Sequence, residues 1–302
     1  MLLSWLFYAL SGYFLHGLAS VGDKIILKKI IPHPASYAFW QGVLSLGALL
    51  LIPFGFYLLD PIKAALCFLA GALFIWGLFS FFWAVRRSDV SRVSPIVLSL
   101  TPLFLFIAEK FILNLQFSNK ELFAAGLLIA GSLLLSADFI EEKRFFSHKI
   151  FLASVIAAVF MAASLFLMKS LFLSGDFINV YIWSRIGFFL GSLIFFILPS
   201  WRGEIFTSFS QLKKPSGGIY LILNKLLGAF GALAIYFAIS KNTAALVSAL
   251  QGFQFAIVFI LVFLFSFFWP KIIKESFTSR ELAEKLCGIL LVSAGLYYLS
   301  FL

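Results

Sequence analysis

The chain has 302 residues, 62% of them hydrophobic and 12% charged, with a mean hydropathy of +1.05. A soluble domain is nearer half apolar, so the solvent for most of these side chains is lipid. The net charge of +10 would suit nucleic acid in a soluble protein. Here the cations gather in short connections between apolar runs, which argues against a nucleic-acid partner and for the positive-inside rule.

A membrane-spanning helix needs about 20 mostly apolar residues. Ten such runs are read, over 3–27, 35–58, 62–85, 90–114, 121–137, 149–172, 178–199, 217–239, 243–268 and 284–302. Continuous apolarity predicts helices, because barrel strands would alternate. The expected fold is an all-α polytopic membrane protein. The longest connections, 138–148, 200–216 and 269–283, are too short for a soluble domain. The first run lacks a basic n-region and an A-x-A-like site, so no cleavable signal peptide is expected. Cys67 and Cys287 lie inside apolar runs and read as small core residues.

An internal repeat emerges when the halves are overlaid. "YAFWQGVLSLGALLLIP" from Tyr37 lies on "YIWSRIGFFLGSLIFFI" from Tyr181, setting Gln41 on Arg185 and Gly47 on Gly191. "IWGLFSFFWAVRRSDVSRVS" from Ile75 lies on "AFGALAIYFAISKNTAALVS" from Ala229, setting Gly77 on Gly231. "FSNKEL" at Phe117 lies on "FTSREL" at Phe277, and Lys24 pairs with Lys169. The chain then reads as two five-helix repeats, 1–140 and 145–302. Five is odd, so the second repeat enters the membrane from the opposite side. Such inverted repeats (5+5) are typical of secondary transporters, with a site at the repeat interface.

Of the 23 Lys and Arg residues, 15 fall in odd-numbered connections: Lys28, Lys29, Arg86, Arg87, Arg92, Lys143, Arg144, Lys149, Arg202, Lys213, Lys214, Lys271, Lys274, Arg280 and Lys285. Three (Lys63, Lys120 and Lys241) fall in even ones. This bias predicts odd connections in the cytoplasm and both termini outside.

The segment "AVRRSDVSRVSPIVLSLTPLF" after the third run, followed by Glu109 in "IAEK", resembles the signature of EamA-type members of the drug/metabolite transporter superfamily. The glycine-spaced runs "AAGLLIAGSLLL" and "GILLVSAGLYYL" from Gly288 resemble its fifth helix in two copies. Ala124 stands where that family often has glycine. The second copy carries Ala249 and Ala256 in place of Pro95 and Pro102, and Phe263 in place of Glu109. The resemblance implies a ten-helix inverted repeat that moves small metabolites, such as amino acids, across the inner (cytoplasmic) membrane. It also implies termini inside, opposite to the charge count.

Ionisable groups inside apolar runs usually face the bundle interior. Arg185, about seven residues into its run, is the first candidate for a substrate-binding cation, with a structural ion pair as the alternative. Lys225 beside Asn224 is a second candidate. Gln41, the repeat partner of Arg185, and Gln251 with Gln254, three apart on one helix face, could line the same cavity. Lys24 either snorkels or faces the cavity, and Lys110 and Lys169, near helix ends, are expected to snorkel. Trp40, Trp76, Tyr181 and Tyr236 are candidate aromatic walls, against a plain packing role. Asp23 and Glu109 are candidate coupling groups, Glu109 being first read as structural. Five embedded cations against these two acids favour an anionic or zwitterionic substrate. Pro95 and Pro102 lie seven apart, on one helix face, near Ser99 and Thr101, and mark a hinge or cavity wall. His16, His33 and His148 form no metal set, His16 being read as a packed core residue with a satisfied nitrogen. No cofactor motif or Walker motif is present.

The expected function is secondary transport of a small-molecule substrate by alternating access, by a chain whose other partner is the lipid bilayer. The alternatives are a membrane-embedded lipid-processing enzyme or a lipid scramblase without a small-molecule site. Enzymatic chemistry usually needs clustered carboxylates or histidines, and the acids here are scattered. Oligomeric state is left open, and a monomer suffices for the architecture.

Overall fold

The computed structural model describes residues 2–29, 31, 33–87, 90–136, 148–212, 215–268 and 278–300. The side chains of Lys24, Lys28, Lys29 and Arg92 lie outside the described set, as do Lys143, Arg144, Lys213, Lys214, Lys271 and Lys274. Twelve α-helices follow in chain order: α1 Leu2–Lys29, α2 Pro34–Ser45, α3 Pro61–Arg87, α4 Val90–Phe111, α5 Asn119–Ser136, α6 His148–Ser174, α7 Phe177–Ile197, α8 Pro199–Leu212, α9 Pro215–Lys241, α10 Ala244–Ala249, α11 Gln251–Phe268 and α12 Ser279–Ser300. No strand occurs among the described residues. Eight helical stretches have the length and apolarity to cross a membrane: Pro34–Phe54, α3, Val93–Phe111, α6, α7, Gly218–Lys241, Ala244–Phe268 and α12. Helices α1 and α5 pack beside them but are not among the eight.

The second apolar run is not one α-helix. After α2 it tightens into a 3₁₀ stretch over Leu46–Phe54 that contains Pro53, a length uncommon for that geometry. It ends at Gly55, whose φ of 125° suits glycine alone. The ninth run breaks at Leu250, between α10 and α11. The connection expected over 200–216 is largely α8. Pro199 starts that helix. Ile205 and Ser208 are buried and Trp201 and Leu212 half-buried, at the spacing of one helical stripe.

The last helix starts at Ser279 rather than 284. Lys285, counted above as a connection cation, is therefore inside α12. It is buried, and its Nζ donates to the Leu135 carbonyl at 2.9 Å. Helices α5 and α12 start alike. Ser118 and Glu121 form a reciprocal capping box (Ser118 N–H to Glu121 carboxylate 2.7 Å, Glu121 N–H to Ser118 Oγ 3.2 Å). Thr278 and Glu281 form the same box at 2.6 and 3.2 Å.

The broadest helix packings join the first part of the chain to the second: α1 on α9, α3 on α6, and α5 on α12. Small residues set each crossing. A Cβ on Gly12 would stand 2.7 Å from the Gly231 carbonyl, and one on Gly131 2.8 Å from the Gly288 carbonyl. With no hydrophobic drive between helices in lipid, such close backbone approach supplies the packing that holds them together.

Candidate functional site

Helix α3 lies almost on the backbone of α7. A Cβ on Gly71 would come within 2.1 Å of the Ser184 carbonyl oxygen, and one on Gly187 within 2.3 Å of Phe68 Cα. This contact brings Ala70, Gly71 and Phe74 of α3 beside Ser184, Arg185 and Phe188 of α7. With Ser164 and Met168 of α6 and Tyr236 of α9 they line a tightly packed crevice with no room for a water molecule in this conformation.

Arg185 is the charged group of this crevice. Its guanidinium carbon lies 4.7 Å from the Tyr181 ring centre, 4.6 Å from Tyr236 and 5.5 Å from Phe188. The two tyrosines meet edge to face at 5.7 Å. Each ring attracts the cation through its quadrupole, by up to about 2 kcal/mol when desolvated. Ring faces do not satisfy the directional N–H donors of a guanidinium. One of these donors bonds the Tyr236 side chain. The Arg185 Nε is buried without a hydrogen-bond partner, and no carboxylate pairs with the side chain among the described residues.

Lys225 does not share that crevice. Its Nζ donates to Asp23 Oδ1 at 2.9 Å and to the Tyr37 hydroxyl, and lies 4.4 Å from the Tyr37 ring centre. Asn224 donates to the same carboxylate oxygen. Asp23, Asn224, Lys225 and Tyr37 thus form one closed network joining α1, α9 and α2. Tyr37 was absent from the sequence candidates. Its place opposite Tyr181 in the repeat was the available signal.

Glu109 lies fully buried at the end of α4, its carboxylate accepting from the amides of Ala244 at 2.7 Å and Ala245 at 3.0 Å. It caps α10, where unsatisfied N–H groups and the helix dipole favour an anion. Lys169 does not snorkel as expected. It is buried, with Nζ donating to the Ile239 carbonyl at 3.1 Å, because α9 and α4 close over the end of α6. Lys110 is exposed at the end of α4.

The remaining candidates scatter. Gln254 is buried and donates to Ser20 Oγ at 2.9 Å, while Gln251 and Gln41 are half-buried. Trp40 donates to Ser208 at 2.9 Å and packs on Phe209, away from Arg185. Ser99 returns its hydroxyl to the Pro95 carbonyl at 2.8 Å. Pro102 and Thr101 are buried and Pro95 half-buried. His16 is packed in the helix crossing as expected, with one ring nitrogen bonded to the Gly228 backbone, while its Nε2 lies against Gly231 without a partner. The side chain of Lys24 lies outside the described residues.

The model of the EamA-like transporter family matches residues 3–137. Over those residues the chain is similar to that family, which lies within the drug/metabolite transporter superfamily. In this EamA-like segment fall Asp23, Tyr37, the α3 wall of the Arg185 crevice, the proline pair and Glu109. A solved crystal structure, described only as that of a protein, is similar over 99% of this chain and 97% of its own. Its TM-score is 0.67 at 12% identity, a likeness of fold alone. No curated protein matches the chain. Eight membrane-length helices accompany the family match and make the chain a membrane protein.

Proposed function

We propose that the EamA-like chain is a secondary transporter for a small anionic or zwitterionic metabolite, such as an amino acid, at the cytoplasmic membrane. In this reading two inverted five-helix repeats, 1–140 and 145–302, rock about a shared interface.

The repeat is supported by helix crossings that exchange under the sequence overlay. Gly231 faces Gly12 and His16, and Gly77, its partner, faces Ala157 and Met161. The spacing that pairs Lys24 with Lys169 carries Gly12 to Ala157 and His16 to Met161. Likewise Gly131 faces Gly288 and Val292, while Gly295 faces Ala124 and Leu128.

The observation that carries the substrate reading is the buried, unpartnered Nε of Arg185 beside Tyr181 and Tyr236. Under the same overlay, Met168, Ala70, Gly71 and Tyr181 take the places of Asp23, Asn224, Lys225 and Tyr37. One of these two equivalent places, each built from both repeats, is therefore filled by an internal carboxylate–ammonium pair. The other offers a cation stacked on the equivalent tyrosine and no carboxylate, which leaves that role to a ligand.

Thermal stabilisation of the purified protein across a metabolite panel tests this reading. A carboxylate-bearing metabolite should raise the melting temperature, and the rise should vanish in Arg185→Ala. Stabilisation confined to cationic compounds, or equal in Arg185→Ala, would refute it.

A further inference from the structure

A separate cavity lies on the face that carries the odd-numbered connections, where α2 begins, α3 ends and α8 follows α7. It is open, has about 380 Å³ of empty space, and is lined by Pro34, Ala35, Phe79, Trp83, Arg86, Arg87, Trp201 and Glu204. We propose that it binds the phosphodiester headgroup of a membrane phospholipid, independently of transport through the Arg185 crevice.

The chemistry divides by depth. Phe79, Trp83, Trp201 and Pro34 make an apolar floor, and Arg86, Arg87 and Glu204 make a charged rim. Tryptophans at the level of spanning-helix ends are the usual marks of the lipid–water boundary. Basic pockets between helices at that level suit lipid headgroups.

The rim has donors to spare. Arg87 stacks on Trp83 with its guanidinium carbon 3.7 Å from the ring centre and gives Nη1 to the Trp83 carbonyl at 3.3 Å. The Nη1 of Arg86 lies 3.1 Å from His33 Nδ1. Each guanidinium has five N–H groups, so most remain for a phosphate, which Arg grips in a bidentate fork. Glu204 Oε1 stands 3.0 Å from the same His33 nitrogen. Among the lining residues, two arginines against one glutamate leave positive charge in excess, which suits a phosphodiester anion. The apolar floor then receives the glycerol and the first acyl carbons, which a free phosphate lacks.

The full chain in a neutral detergent is titrated with dioctanoyl phosphatidylglycerol, dioctanoylglycerol and inorganic phosphate, with melting temperature and native mass spectrometry as readouts. Phosphatidylglycerol should stabilise and be retained, and its half-saturating concentration should rise about tenfold or more in Arg86→Gln/Arg87→Gln. Arg202→Gln, which removes a cation stacked on Phe196 and Phe206 outside this cavity, should leave binding unchanged. Should the double variant fail to fold, Arg86→Gln and Arg87→Lys singly carry the test. An equal effect of inorganic phosphate would make this a site for soluble phosphate compounds and overturn the lipid assignment. Equal stabilisation by dioctanoylglycerol, or an equal loss in Arg202→Gln, would overturn it as well.

Discussion

Lys225 and Asp23 meet across α9 and α1, Nζ to Oδ1 at 2.9 Å, with side chains 13% and 27% exposed. Two residues 202 positions apart thus neutralise each other inside a segment that has little other polarity. Tyr37 covers the cation with its ring and receives its proton donor at the hydroxyl. An ion pair in this setting stabilises only as a pair, because either partner alone is an uncompensated charge.

Asp23→Asn should therefore lower stability by about 3 kcal/mol. Asp23→Asn/Lys225→Gln should recover a large part of that loss, since the stranded ammonium is gone. Unfolding titrations of these two variants and of Lys225→Gln alone check this. Additive losses would show that the pairing contributes nothing.

Glu109 should be intolerant of apolar replacement. Glu109→Leu strands the amides of Ala244 and Ala245 and removes the carboxylate near Lys169. A buried unsatisfied donor costs about 1–3 kcal/mol. Glu109→Gln keeps an acceptor for one amide and should lose less. Equal melting temperatures for the two variants would remove the capping role.

The glycines predict a graded series. Gly71→Ala forces its new Cβ against backbone at 2.1 Å and should cost about 2 kcal/mol or more by driving α3 from α7. Gly77→Ala meets its nearest atom, in the flexible Met161 side chain, at 3.0 Å and should cost less. Gly126→Ala meets nothing within 4 Å and should be neutral or gain up to about 1 kcal/mol of helix propensity. Melting temperatures in any other order would count against the close α3–α7 packing.

Pro95→Ala/Pro102→Ala tests the proposed hinge. Both prolines sit inside α4, and the repeat partner positions are Ala249 and Ala256. The double variant should fold, since alanine restores two amide donors to the helix. Its turnover of a metabolite identified in the panel should change by several-fold. Unchanged kinetics with unchanged folding would eliminate the hinge.

Much of the fold was legible before any coordinate. The apolar runs named their helices because a span in lipid must satisfy its backbone internally. The glycine-spaced runs around Gly131 and Gly288 were read only as two copies of one helix, and the structure packs them against each other. Helix α8 was missed although Pro199 and the stripe Trp201, Ile205, Ser208 and Leu212 were visible, because a short amphipathic helix resembles a polar connection in composition. The break after Ala249 gave no composition signal at all.

What the sequence determined alone was the solvent, the helical class and the set of charges carried into the apolar runs. These follow from local periodicity and composition, which each segment holds within itself. What only the tertiary structure decided was the fate of those charges. Lys225 found Asp23, Lys169 found the Ile239 carbonyl, and Glu109 found the start of α10. Arg185 found three ring faces and no carboxylate among the described residues. Each outcome depends on which distant helix packs alongside, and a charge in a low-dielectric interior is governed by the neighbours that packing supplies.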